Sequence, residues 1–260
     1  MTDTSTGITS HRKLLFLGGL TLLLLTGCSE SEYQWGWFAV SPATEAGRLN
    51  LRFLIEGFVP TITISFVSLA ASILLGLVIS LLGMSHFKIL KRINRVWVEV
   101  FRSVPVLVML LWTYYGLPIS TGINLDIFTA GVVALALCDS AFEAEIFRAG
   151  FQSIPRSQYE AAHTMGASNF QMMRYVILPQ AMRNILPPLG NQYAYMLKVS
   201  SLVSVIGLGE LTRKANELTV VEYRPLEIYT VLIIEYLVLI LIVSHLVRRL
   251  ERRLADNQPD

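Results

Sequence analysis

The stretch Glu160-Ala161-Ala162-His163-Thr164-Met165-Gly166, followed further on by Leu178-Pro179, decides how this chain is read. It lies in a polar, basic segment between two strongly apolar regions. A structured, charged hairpin on one face of a membrane protein needs a purpose. Docking of a soluble partner that moves the membrane helices supplies one. Ser157-Gln158-Tyr159-Glu160 carries the capping-box pattern, in which the Ser157 hydroxyl would accept from the Glu160 amide and the Glu160 carboxylate from the Ser157 amide. Gly166 suits a helix C-terminus that needs a left-handed residue. Ser168-Asn169-Phe170-Gln171 offers a second N-cap with its partner three residues on, and Pro179 is expected to disrupt the helix that follows. The expectation is a helix–turn–helix over 157–178. Tethered between spans and poor in cations, it does not suit nucleic acid. The plain alternative is a well-capped connector.

Working outward, the flanks are membrane-like. Over 260 residues the chain is 53% hydrophobic and only 15% charged, with a mean hydropathy of +0.53, a composition outside the soluble globular class. Apolar stretches cover 58–83, 104–119, 185–209 and 228–247, with a shorter one at 127–138. A bilayer core takes about 20 helical residues, so the second and fifth of these must borrow neighbours. The expected fold is an all-α membrane protein with a five-helix core. The net charge of +2 and the lack of a basic run with interleaved aromatics argue against a nucleic-acid partner. Cys28 and Cys138 show no metal-ligand spacing, and Cys138 reads as packing.

The basic residues orient the core. If 58–83 runs inward, Lys88, Lys91, Arg92, Arg95, Arg102, Arg148, Arg156, Arg174, Arg183 and the Arg248–Arg253 cluster all fall inside. The outside keeps Arg48, Arg52, Arg213, Lys214 and Arg224. That bias is the positive-inside pattern; it places the hairpin and the C-terminus in the cytoplasm. The organisation expected is 1–28 as a signal-like segment or extra apolar helix, 29–57 as an outside segment with a lead-in helix, 58–250 as the transmembrane domain and 251–260 as a tail. Basic residues followed by Leu14–Thr26 have the form of a secretory signal. Leu25-Thr26-Gly27-Cys28 resembles a lipobox, which makes Cys28 a candidate for lipidation.

Ionisable residues at membrane depth are costly, about 2.5–3.5 kcal/mol each on insertion scales, and usually face protein or water. Asp139 and Glu143 share a helix face in the third span, and Lys198 precedes Ser200-Ser201 in the fourth. They line a substrate path, or they pair with one another or with helix ends to hold the bundle. Glu235 is expected to pair within the bundle or across a dimer. Glu99 and Arg102, and likewise Glu145 and Arg148, are spaced to pair along a helix.

The hairpin resembles the EAA loop of ABC-transporter permeases, whose pattern is E-A-A, three residues, G, nine residues, I, any residue, L-P. Here it is filled by Glu160-Ala161-Ala162, Gly166, Val176 and Leu178-Pro179, with Val in place of Ile. Phe101-Arg102-Ser103-Val104-Pro105, Glu145-Ile146-Phe147-Arg148-Ala149-Gly150, Leu178-Pro179-Gln180-Ala181 and Lys198 before Ser200-Ser201-Leu202 are similar to the polar amino acid uptake subfamily. The resemblance covers about residues 50–250. It implies a multi-pass bacterial inner-membrane permease that moves a polar amino acid. Glu160, Ala161, Ala162, Gly166, Leu178 and Pro179 would dock an ATPase. Asp139, Glu143, Lys198, Ser200 and Ser201 would line the path. The implied partners are ABC ATPase subunits, a second permease subunit, a periplasmic amino-acid-binding protein and membrane lipid. Members often carry an acidic or amide residue where this chain has Val199, which leaves the substrate side-chain class open.

No G-x-x-x-x-G-K-[ST] phosphate loop occurs in the chain. The resemblance therefore places ATP and Mg on the partner ATPase, with no cofactor and no catalytic residue in this subunit. The competing class is a stand-alone secondary transporter. It fits poorly with the lack of a detectable internal repeat and leaves the hairpin without a role.

Overall fold

The computed structural model describes residues 33–255, and the side chains of residues 33–249. The signal-like segment 1–28, with Cys28, lies outside the described residues. Two units are distinguished, 1–36 and 37–260. In the first, only 33–36 are described; the Tyr33 ring meets Trp35 edge-on, 5.4 Å between centroids.

Every regular element among the described residues of the second unit is a helix. A short 3-10 turn at Trp37–Val40 leads to α1 (Glu45–Ile55), which is N-capped by the Thr44 hydroxyl accepting from the Gly47 amide. Then come α2 (Phe58–Met84), α3 (Lys88–Ser103), α4 (Val106–Leu111), a π turn at Trp112–Gly116, α5 (Leu117–Thr121) and α6 (Ile127–Gln152). The hairpin is α7 (Arg156–Thr164) and α8 (Asn169–Met172). A second π turn, Met173–Ile177, leads into α9 (Leu178–Val199). A 3-10 segment Ser200–Ile206, α10 (Leu211–Glu222) and α11 (Pro225–Ala255) complete the chain.

Glu45–Met84, Ile127–Gln152 and Pro225–Arg249 are long and apolar enough to cross a membrane. Two bent pairs raise the number to as many as five: α3 with Val106–Thr121, at 98°, and Asn169–Ile206 with α10, at 48°. The first bend falls at Val104-Pro105, where proline removes a donor and pushes the residue before it out of the helical region. Past Pro118 the helix runs on to Thr121 and ends at Gly122, whose φ of 75° supplies the left-handed stop.

The core is a parallel pair, α2 against α6, in one register. Ser72 bonds Asp139, 67 residues on. A Cβ on Gly76 would strike Glu143 Cβ at 2.4 Å, and one on Gly131 would meet Ile64 Cδ1 at 2.8 Å. Ser68, Ser72, Gly76 and Ser80 recur every fourth residue on α2 and are all buried. Small residues at that spacing bring two helix backbones together in a membrane bundle, where packing rather than hydrophobicity drives association. The hydroxyls of Thr61, Ser65 and Ser72 bond backbone carbonyls three or four residues earlier, whereas those of Ser68 and Ser80 are buried without a partner among the described residues. α3 braces the pair: Asn94 Nδ2 donates to Ile79 O (2.9 Å) and Trp97 Nε1 to Ser140 Oγ (3.0 Å).

Candidate functional site

The hairpin is the first part of the site. Pro155, with φ −60° and ψ 143°, takes the N-cap position of α7, and no side chain caps it. The Ser157–Glu160 capping box is therefore not formed. The fixed φ of proline starts the helix at Arg156, which puts Ser157 two residues past the cap position. Gly166 is left-handed at φ 78°. Its amide donates to His163 O (2.9 Å) and the Ala167 amide to Ala162 O (3.1 Å), the two bonds of a Schellman motif. The second box is present: Ser168 Oγ accepts from the Gln171 amide, and Gln171 Oε1 from the Ser168 amide.

Ala161 and Ala162 do not form one flat face. Ala161 is exposed, whereas Ala162 is buried among Phe147, Phe151, Ile154, Met172 and Ile177 and roots the hairpin on the end of α6. The residues the hairpin offers outward include Glu160, Ala161, Met165 (87% exposed) and Phe170 (72%). Pro179 does not break the helix. It sits in the first turn of α9, and the π turn before it carries the Leu178 amide to Met173 O. Leu178 and Pro179 are both exposed.

The second part is polar. Asp139 is buried and accepts from Ser72 Oγ (2.6 Å) and from Gln192 Nε2. It thereby clips α6 to both α2 and α9. Glu143, one turn further along, is wholly buried beside Gly76, and neither carboxyl oxygen has a partner among the described residues. Lys198 is exposed and pairs with neither acid. The Ser200 and Ser201 hydroxyls are turned back onto Leu197 O and Lys198 O. The five polar positions are thus not gathered into one pocket. Glu235 is 8% exposed with Oε2 unpartnered. Arg148 does pair with Glu145 (2.7 Å). Arg102 does not pair with Glu99; its guanidinium lies 5.3 Å over the Phe142 ring.

Lys198 belongs to a different grouping. The exposed residues of α9 from Asn184 onward are Asn184, Pro188, Asn191, Tyr195 and Lys198, alternating by three and four. They form one stripe along a helix that elsewhere buries Ala181, Ile185, Met196 and Leu197. Such a stripe at membrane depth faces a wet cavity or a partner. The three-and-four spacing was available in the sequence; Pro187-Pro188 in the middle masked it as a break. At the hairpin end the stripe borders a cleft of about 470 Å³ shared with Glu145, Ala149, Gly150 and Ser153 of α6 and the residue after it.

Residues 68–256 match the family described as binding-protein-dependent transport system inner membrane component. The glutamine transport system permease protein GlnP of Escherichia coli (strain K12) is 37% identical over 222 residues, which is 85% of this chain and 98% of that protein. The arginine transport system permease protein ArtQ of Bacillus subtilis (strain 168) is 38% identical over 208 residues, 80% of this chain and 95% of its own length. A crystal structure of an amino acid ABC transporter with histidines superposes with a TM-score of 0.77 at 40% identity, covering 85% of this chain and all of that one. The MetNI methionine ABC transporter, facing inward, has the same fold at a TM-score of 0.66 and 22% identity.

Proposed function

Because this chain belongs to the family of binding-protein-dependent transport system inner membrane components, we propose that it forms half of the membrane path of an ABC importer for a polar amino acid. It is a non-catalytic subunit rather than a stand-alone secondary transporter; the work of ATP and Mg falls to a separate ATPase. Its membrane spans number five, counting each bent pair as one. The hairpin end and the C-terminus face the cytoplasm, the side favoured by the basic residues.

The observation that carries the path is the polar stripe on α9. Asn184, Asn191, Tyr195 and Lys198 are exposed on a helix otherwise built for the bundle interior. In lipid they would cost several kcal/mol; against a water-filled path shared with a second permease subunit they cost little. Lys198 meets the substrate carboxylate. Ser200 and Ser201 set the end of the helix that carries Lys198. Asp139 holds α9 in place through Gln192, and Glu143 lies one turn along on the α2–α6 seam. At the other end, Glu160, Ala161, Gly166, Met165 and Phe170 dock the ATPase. Ala162, Leu178 and Pro179 fix that surface to α6 and α9, so that closure of the ATPases swings both helices. An extracytoplasmic binding protein delivers the amino acid at the opposite end, and membrane lipid covers the remaining apolar faces.

The test is ATP-dependent uptake by proteoliposomes holding the permease with its ATPase and binding protein, with glutamine and arginine as first substrates. Uptake that needs all three components and is lost in Lys198→Met, with assembly intact, supports the reading. Uptake by the permease alone, driven by an ion gradient, refutes it.

A further inference from the structure

Beyond the stripe, the polar surface continues onto α3, and none of the roles above uses that part. Between α3 and the hairpin end of α6 lies a cleft of about 370 Å³, within the roughly 300–1,000 Å³ typical of small-molecule sites. One wall is Lys91, Arg95, Glu99 and Arg102, at successive turns of α3; the other is Glu145 and Arg148. Those last two satisfy each other through two hydrogen bonds, 3.2 and 2.7 Å. The wall of α3 is different. Among the described residues, Lys91, Arg95, Glu99 and Arg102 take part in no ion pair, although Arg95–Glu99 and Glu99–Arg102 are spaced to form them. Like charges one turn apart, as at Lys91 and Arg95, destabilise a helix slightly. Three cations and one carboxylate therefore stand without an ion-pair partner around a hollow of ligand size, Arg102 resting on the Phe142 ring. Glu145 also borders the cleft that reaches Asn184 on α9, so the two hollows share a rim.

We propose that this cleft is a release site, where the transported amino acid binds on its way out and from which the accumulated product slows further uptake. The inference rests on the importer reading above. The chemistry selects a zwitterion. A guanidinium offers a carboxylate two parallel donors in a planar fork, and Arg95 and Arg102 supply two such forks. Glu99, between them on the helix, takes the ammonium. Binding across the cleft ties α3 to α6, the helix that carries the hairpin, and opposes its swing.

The experiment uses the full complex in proteoliposomes, with labelled amino acid and binding protein outside, and ATP plus rising unlabelled amino acid inside. Wild-type uptake should fall as the luminal amino acid rises. Arg95→Gln and Arg102→Gln should keep uptake into empty vesicles and raise the half-inhibiting concentration roughly tenfold or more, the loss expected for one charge-assisted hydrogen bond. Glu99→Gln, on the same exposed wall, gives an independent second variant and should shift it in the same direction. Absence of luminal inhibition overturns the proposal, as does equal inhibition of wild type and variants. Equal inhibition by luminal acetate or phosphate overturns it too. So does an effect that follows anionic lipid content, compared between phosphatidylcholine vesicles with and without phosphatidylglycerol, rather than luminal amino acid. Uptake into empty vesicles reports on the importer reading separately: if it is absent, that reading fails, whereas uptake without luminal inhibition removes only the release site.

Discussion

Gly76→Ala tests the α2–α6 seam with the smallest change available. A methyl at residue 76 would sit 2.4 Å from Glu143 Cβ, 2.9 Å from the Ala144 amide nitrogen and 3.0 Å from Ser140 O. Carbon contacts prefer about 3.5–4.0 Å, so the two helices must part by about 1 Å. Two of the three obstacles are backbone, which a rotamer change cannot relieve. Overpacking of this kind costs roughly 1–3 kcal/mol. The alanine returns about 0.8–1.0 kcal/mol of helix propensity, leaving a net loss of up to roughly 2 kcal/mol. At about 2–4 °C per kcal/mol for a chain near this size, the apparent Tm should fall by up to roughly 8 °C. The control is Gly209→Ala, where an added Cβ meets nothing within 4 Å and the change should be neutral or slightly stabilising, by up to about 1 kcal/mol. Both are measured on detergent-solubilised protein at one fixed scan rate, because membrane proteins often unfold irreversibly. A Gly76→Ala protein that melts at or above the Gly209→Ala control would refute the close-packed parallel seam.

Three further outcomes are expected. Gly166→Val places a β-branched residue at φ 78° and should cost about 1–2 kcal/mol; ATPase co-purification and uptake should drop while membrane insertion persists, and normal values for both would count against hairpin docking. Asp139→Ala leaves the Ser72 hydroxyl its bond to Leu69 O but strands the Gln192 amide and unclips α6 from α2 and α9, a buried unsatisfied group costing about 1–3 kcal/mol, so thermal stability should fall clearly, whereas Lys198→Met should lower uptake with little change in Tm; the reverse ranking would exchange their roles. Tyr223 is left-handed at φ 55°, a strain of about 1–2 kcal/mol in a residue with a side chain, so Tyr223→Gly should raise the Tm, and a fall would mean that the exposed ring holds α11 in place.

What the sequence disclosed was local. Gly166 and the Ser168–Gln171 box could be read directly, because a left-handed stop and an N-cap depend only on residues three or four apart. The Ser157–Glu160 box matched the same pattern and still failed, since Pro155 two residues earlier had already set where α7 begins. Tertiary placement was not accessible in this way. Ala161 and Ala162 are chemically identical, and only the packing of α7 on Phe147 and Phe151 separates the exposed one from the buried one. Asp139 and Glu143 share one helix face, yet Ser72 and Gln192 satisfy the first, while the second lies beside a glycine that has nothing to offer it. Lys198 looked like their counter-ion because opposite charges near membrane depth invite pairing, but its position on α9 turns it to the exposed stripe. Hydropathy located the apolar segments; the 98° bend between α3 and α4 depended on what the chain does around one proline.

The π turn before α9 fixes the hairpin and the polar stripe in angular phase. A π turn holds one residue more than the α-helix it interrupts, and each residue of an α-helix advances the azimuth by about 100°. Removing a single residue from Met173–Ile177 would let the segment close as an ordinary α turn and rotate α9 by that angle relative to α7 and α8. Either the hairpin or Asn184, Asn191, Tyr195 and Lys198 would then point about a quarter turn away from their present direction. The extra residue acts as an indexing tooth. The chain can mutate freely on either side of it, but a one-residue slip there would misalign two surfaces that must work together, with every side chain of both still present.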